Sequence, residues 1–123
     1  METIISFKDI LIRTKLAAGD LGYAIYMHGK LYKAEYNYGL HFESYVASGI
    51  HELFESMETS RSRLWVAEQN GKMVGFLGLM DRGDQAQVRY FIIDPSVRGV
   101  GLGKKLMELF MDYMKTSGFK RAF

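Results

Sequence analysis

The 123-residue chain contains no cysteine, and its single proline is Pro95. Without thiols there can be no disulfide and no thiolate metal site, and a reducing compartment, the cytoplasm, is the expected setting. With one proline and no Pro/Ser-rich tract, nothing reads as a linker, so residues 1–123 are expected to form a single domain. An excess of one charge is also lacking: 16 basic and 14 acidic residues leave a net charge of +2. That balance excludes a dense nucleic-acid-binding stripe. Residues 63–123, with ten basic and six acidic side chains, do suit a small anionic ligand. The longest apolar run, Met73 to Met80, is interrupted by Gly75 and Gly78 and is too short for a bilayer, so no membrane association is expected. Met1 to Asp9 has no cationic segment followed by an apolar stretch and does not read as a secretory leader. His41 and His51 have no accompanying ligands, so no metal site is expected.

What is present is a clear sequence of periodicities. Asp9 to Thr14 alternates apolar and polar residues and predicts a short first strand. Asp20 is placed to cap a helix with its carboxylate, and Leu21, Ala24, Ile25, His28, Leu31 and Tyr32 follow at helical spacing. Phe42, Tyr45, Val46, Leu53, Phe54 and Met57 form the apolar stripe of a second helix. The period then changes to two. Arg63 to Glu68 and Lys72 to Met80 predict paired strands around an Asn70-Gly71 turn. Asp81 to Asp84 reads as the next turn, and Gln85 to Ile93 as a further strand ended by Asp94-Pro95. A helix is predicted from Gly101 to Ser117, lined by Leu102, Leu106, Leu109, Phe110 and Tyr113 and stopped by Gly118. Phe119 to Phe123 begins another strand. The predicted class is α+β (mixed α/β), with helices covering a mainly antiparallel sheet.

The chemistry is concentrated between Tyr90 and Leu106, where a buried strand meets a glycine-rich turn that opens a helix. Amides at such a turn lack intrahelical acceptors, and the helix dipole adds positive potential, so the turn favours an anion. Arg98, Lys104 and Lys105 are candidate counter-charges. The P-loop spacing fails, because Arg98 stands where its first glycine belongs and Lys105 replaces the hydroxyl residue. The dinucleotide fingerprint fails as well, with Lys104 or Leu106 at its third glycine.

Arg/Gln-x-x-Gly-x-Gly/Ala does fit, on Arg98, Gly101 and Gly103. A hydrophobic strand ending in Asp94-Pro95, then Arg98-Gly99-Val100-Gly101-Leu102-Gly103-Lys104-Lys105-Leu106, resembles the central motif of the GCN5-related N-acetyltransferases. The resemblance implies an acetyl-CoA-dependent N-acetyltransferase acting on a primary amine, a small molecule or a peptide, with no metal. It implies that Phe91, Ile92 and Ile93 contact the pantetheine arm. It also implies that Arg98, Gly99, Val100, Gly101, Leu102, Gly103 and Lys104 hold the pyrophosphate. Gly19 to Tyr23, with His28-Gly29 and Leu31-Tyr32, resembles acetyltransferase domains fused to MarR-type regulators, without their DNA-binding portion. The family fold continues beyond the point matched by Phe123, with more of a fifth strand, a helix carrying a tyrosine acid and closing strands. A C-terminally truncated domain whose open sheet is completed by a second copy is therefore expected. The alternative is a non-catalytic acyl-CoA-binding or oligomerising module. No catalytic residue is assigned. Glu68, Asp81 and Gln87 are the polar residues considered for proton removal, His28 is read as a core residue, and Tyr23, Tyr26, Tyr32, Tyr36 and Tyr38 as packing that can border the acceptor.

Overall fold

The computed structural model describes residues 4–123. Residues 1–3, the start of the segment read above as lacking leader character, lie outside them. The element order is β1 (Ile4–Phe7), β2 (Ile10–Arg13), α1 (Asp20–Tyr36), α2 (Leu40–Met57), β3 (Arg63–Gln69), β4 (Lys72–Arg82), β5 (Gln85–Ile93), α3 (Leu102–Thr116) and β6 (Arg121–Ala122). A 3₁₀ turn over Pro95–Val97 separates β5 from the loop that leads to α3. The six strands form one sheet in chain order, antiparallel from β1 to β5, with β6 parallel to β5. The predicted α+β class and the meander are both found.

Two cores lie on opposite faces of this sheet. On one, Trp65, Leu77 and Leu79 pack against Leu102, Leu106 and Phe110 of α3. On the other, Val66, Phe76 and Ile92 pack against Ala24 and Met27 of α1 and Val46, Ile50 and Leu53 of α2. β4 serves both, and every residue from Met73 to Met80 is buried. A strand covered on both sides has no solvent face, which is why that run lacks polar alternation. Each large apolar side chain sealed here contributes about 1.5–3 kcal/mol of transfer free energy.

Several local expectations are corrected. The segment Ile4–Phe7 is a strand that the reading from Asp9 onward omitted; it pairs with β2 across the Lys8-Asp9 turn. Asp20 does not cap the first turn of α1. Its carboxylate faces backward, accepting from the Ala17 amide (2.6 Å) and from both terminal nitrogens of Arg13 (2.7 and 3.0 Å). In α2 the buried positions are Val46, Gly49, Ile50 and Leu53, while Tyr45 is 58% and Phe54 40% exposed. β4 runs two residues past Met80, because the Asp81 carboxylate anchors the turn from within the strand. It accepts from the amides of Arg61 (3.0 Å) and Gly83 (2.9 Å).

Candidate functional site

Asp94 fixes the chain as it leaves β5. Its carboxylate accepts from the Ser96 amide (2.9 Å) and Ser96 Oγ (2.7 Å), capping the 3₁₀ turn in which Pro95 occupies the first position. Burial pushes the Asp94 carboxyl upward, but the Ser96 bonds and the nearby Lys72 and Arg98 cations outweigh it, leaving the group below its usual range. The turn uses the amides of Val97 and Arg98, which donate to Asp94 O and Pro95 O. The next six amides are different. Those of Gly99, Val100, Gly101, Leu102, Gly103 and Lys104 make no well-formed hydrogen bond to a protein acceptor among the described residues. Lys105 is the first to donate in the helical pattern, to Gly101 O at 3.0 Å.

Glycine makes this arrangement possible at two different levels. Gly101 has φ +91°, a left-handed conformation that lets the chain turn into α3. A Cβ there would meet only Phe7 Cζ at 3.6 Å, so the requirement is conformational rather than steric. Gly103 lies inside regular helix, and a Cβ on it would make ordinary contact with Phe91 Cζ at 3.5 Å. Nothing in the protein therefore demands glycine at position 103. Its absent side chain leaves the first turn of α3 accessible. Ile93, Val97, Arg98, Gly99, Gly101, Leu102, Gly103 and Lys104 line a depression of about 460 Å³ at this point. A larger hollow of about 630 Å³ runs along α3 past Met107 and Met111, and one of about 480 Å³ lies beside Tyr26 and Tyr38. The first of these is lined by only one of the six amides' residues, Lys104, and the second by Gly39 and Leu40 at the start of α2, whereas the smaller depression is lined by five of the six, so it is the better candidate for an anion.

The strand leading to the loop has one edge to offer. The β4–β5 register runs Gly75↔Ile93, Phe76↔Ile92 and Leu77↔Phe91, then resumes at Leu79↔Val88, so Arg89 and Tyr90 together oppose Gly78. This is a β-bulge. Gly78 is required there, since a Cβ would lie 2.3 Å from Arg89 O and 2.6 Å from Leu53 Cδ2. Before the bulge, Val88 N and Ala86 O point away from β4 and bond Phe123 of the β6 segment (2.9 Å each). After it, Asp94 N donates to Val74 O (2.8 Å). By strand alternation the main-chain groups of Phe91 and Ile93 then face away from β4, where β6 does not reach. The structure thus brings Ile93, Arg98, Gly99 and Gly101 to Lys104 together around one depression; Val100 does not line it, and Phe91 comes near it only through its ring, beside Gly103. Ile92 lies apart: its side chain enters the α1/α2 core and its amide belongs to the β4 side.

The cations near the loop differ in role. Arg98 Nη1 is paired with Glu35 in the last turn of α1, and Arg98 Nε donates to Ile93 O (3.3 Å). Lys8, at the β1–β2 turn, donates to Val100 O at 2.6 Å and braces the loop from the side. Neither Lys8 nor Glu35 was singled out from sequence. The one available signal was Ile4–Phe7, whose recognition as a strand would have placed Lys8 in a hairpin turn.

The polar residues considered for proton removal are occupied. Glu68 accepts from Arg13 Nε (2.9 Å), within a network that also holds Asp20. Asp81 is held below its usual carboxylate range: burial alone would raise it, but the Arg61 and Gly83 amides and the Arg61 guanidinium prevail. Gln87 Oε1 accepts from Arg82 (2.9 Å). His28 is a core residue, 1% exposed, with Nδ1 bonded to Ala24 O at 2.7 Å. Its Nε2 and the nearby Tyr90 hydroxyl are buried with no hydrogen-bond partner among the described residues, their rings 5.3 Å apart. Tyr32, Tyr36, Tyr38 and Phe42 pack on one another where α1 meets α2.

The chain resembles solved acetyltransferases over most of its length. It superimposes on one from Streptococcus agalactiae with a TM-score of 0.73 at 23% identity, covering 94% of this chain and 72% of that one. It superimposes on the PaiA N-acetyltransferase of Thermoplasma acidophilum, determined in complex with coenzyme A, with a TM-score of 0.71 at 21% identity. That match covers 89% of this chain and 74% of the other. In sequence it is 30% identical over 76 residues to the uncharacterised N-acetyltransferase YjgM of Escherichia coli. The match takes in 58% of this chain and 46% of YjgM, so less than half of that relative is spanned. The sequence profile of the acetyltransferase (GNAT) family matches residues 27–123, which include the bulged strand, the loop and α3. The chain belongs to the acetyltransferase (GNAT) family.

Proposed function

We propose that the chain binds acetyl-CoA and transfers its acetyl group to a primary amine. The observation that carries this reading is the run of six amides from Gly99 to Lys104 with no well-formed hydrogen bond to a protein acceptor among the described residues, beside the part of the β5 edge that β6 does not reach. A diphosphate satisfies several such donors at once, and the dipole of α3 favours its charge. In this reading Gly99 to Lys104 hold the diphosphate. Phe91 and Ile93 pair through their main chain with the amides of the pantetheine arm, and Ile92 supports the strand from behind. When bound, the coenzyme would supply the thioester. The chain's part is to orient that group, with strand amides facing the carbonyl oxygen where negative charge develops. Glu68, Asp81 and Gln87 are committed to structural bonds, so the amine is proposed to lose its proton to water rather than to one of them.

Titration calorimetry with CoA and acetyl-CoA, followed by a thiol-release assay over a panel of amines, tests the proposal. Binding with turnover is expected. Binding without turnover on any amine would leave the acyl-CoA-binding module, and no binding to either would refute both. The Gly19–Tyr23 and His28-Gly29 stretches favour the subgroup of domains joined to MarR-type regulators. The outer edge of β6, unpaired among the described residues, supports pairing with a second copy, which light scattering at micromolar concentration would measure.

A further inference from the structure

The side chain of Arg98 lies across the site rather than in it. One nitrogen rests on Ile93 O, on the strand edge where an extended ligand would run, and another is held by Glu35. Glu35 is an unusual residue for its place. It stands in the last turn of α1, where the helix dipole disfavours negative charge and lysine or arginine is the favourable choice. The Arg98 guanidinium offsets that cost. Both partners are partly exposed, Arg98 at 47% and Glu35 at 30%, so the pair is weak enough to exchange with another anion. A diphosphate seated on the amides of Gly99 to Lys104 is such an anion, and it carries more charge than one carboxylate. The pair also spans two separate parts of the fold, joining α1 to the loop in front of α3.

We propose that Glu35 is a positioning residue for coenzyme binding: it holds Arg98 over the Ile93 carbonyl until a diphosphate draws the guanidinium away. The proposal rests on the coenzyme reading above. It makes the free site partly self-occupied, so that only the fraction of molecules with Arg98 released is competent to bind. Removing the Glu35 charge then raises that fraction without touching the bound state.

The test is a double-mutant cycle with CoA as the probe, comparing wild type, Glu35→Gln, Arg98→Ala and the double variant by calorimetry and stopped-flow association. Glu35→Gln is expected to tighten CoA binding by about two- to fivefold, the range open to a partly exposed ion pair. The gain should appear in the association rate, with dissociation unchanged, and should vanish in the Arg98→Ala background. Should Arg98→Ala fail to fold, Arg98→Lys, which cannot hold both contacts, serves as the second background. Unchanged or weaker binding by Glu35→Gln overturns the proposal, as does an equal gain with Arg98 removed. If wild type itself binds no CoA, the coenzyme reading fails and this proposal with it.

Discussion

Gly101, at the end of the loop, and Gly103, in the first turn of α3, make opposite predictions for stability. Gly101 is needed by the backbone, so alanine there strains the turn and lowers both stability and coenzyme affinity. Gly103 is needed only by a ligand. Alanine inside a helix is favoured over glycine by about 0.5–1 kcal/mol, and the new Cβ finds ordinary contacts. Gly103→Ala is therefore expected to raise the denaturation midpoint slightly while weakening CoA binding by about tenfold, or about 1.4 kcal/mol. Calorimetry and a urea titration on the same preparation check both halves. His28 makes the second prediction at this scale. Burial pushes its pKa below 6.5, against the opposing bond to Ala24 O, so the folded state prefers the neutral ring. The unfolded chain takes up a proton as pH falls through about 6.5, and the folded chain does so only at lower pH. The stability due to neutral His28 is thus full above that value and is lost below it. Denaturation midpoints measured from pH 8 to pH 5 should fall in wild type and fall less in His28→Phe.

Among the elements, the junction of β4 and β5 is the most constrained. Gly78→Ala would drive a methyl into Arg89 O and Leu53, where neither backbone nor core can yield cheaply. A loss of about 1–3 kcal/mol or more is expected, measured by urea denaturation, together with weaker CoA binding because the Phe91–Ile93 edge shifts. The contrast between this junction and the loop shows what the sequence could reveal. Strand-to-helix order, the meander and the glycine turn were all legible, because each depends on local periodicity or on residues adjacent in the chain. The bulge was not. Gly78 looked like an interruption of an apolar run, and its reason is a carbonyl eleven positions further along the chain. The Arg98–Glu35 pair was hidden for the same cause, since its members are 63 residues apart. Exposure of Tyr45 and Phe54 escaped because helical spacing alone cannot tell which side of a broad apolar stripe meets the sheet.

For the molecule as a whole, the sharing of β4 by both cores ties the layers together. Trp65, the only tryptophan, lies in the α3-side core against Phe110 and Tyr113, so its fluorescence reports that layer. Far-UV circular dichroism reports all three helices. Since α1 and α2 cannot leave without exposing Phe76 and Met80 of the same strand that supports Trp65, the two signals are expected to lose amplitude together in urea. Earlier loss of dichroism would mean that the α1/α2 layer detaches alone. The extra residue in β5 acts at this scale as well. On one side of it, even-numbered positions send their main-chain groups outward to β6; on the other, odd-numbered positions do. It is a half-period phase shift in a single ribbon. The first half of the strand spends its outward donors on its own sheet, and the second half keeps them for a guest. Deleting Arg89 or Tyr90 would restore the regular beat with Phe91 still opposite Leu77 and still facing outward, and would remove the bend and added twist that a bulge imparts where the two halves of the strand part, without altering one residue of the glycine turn.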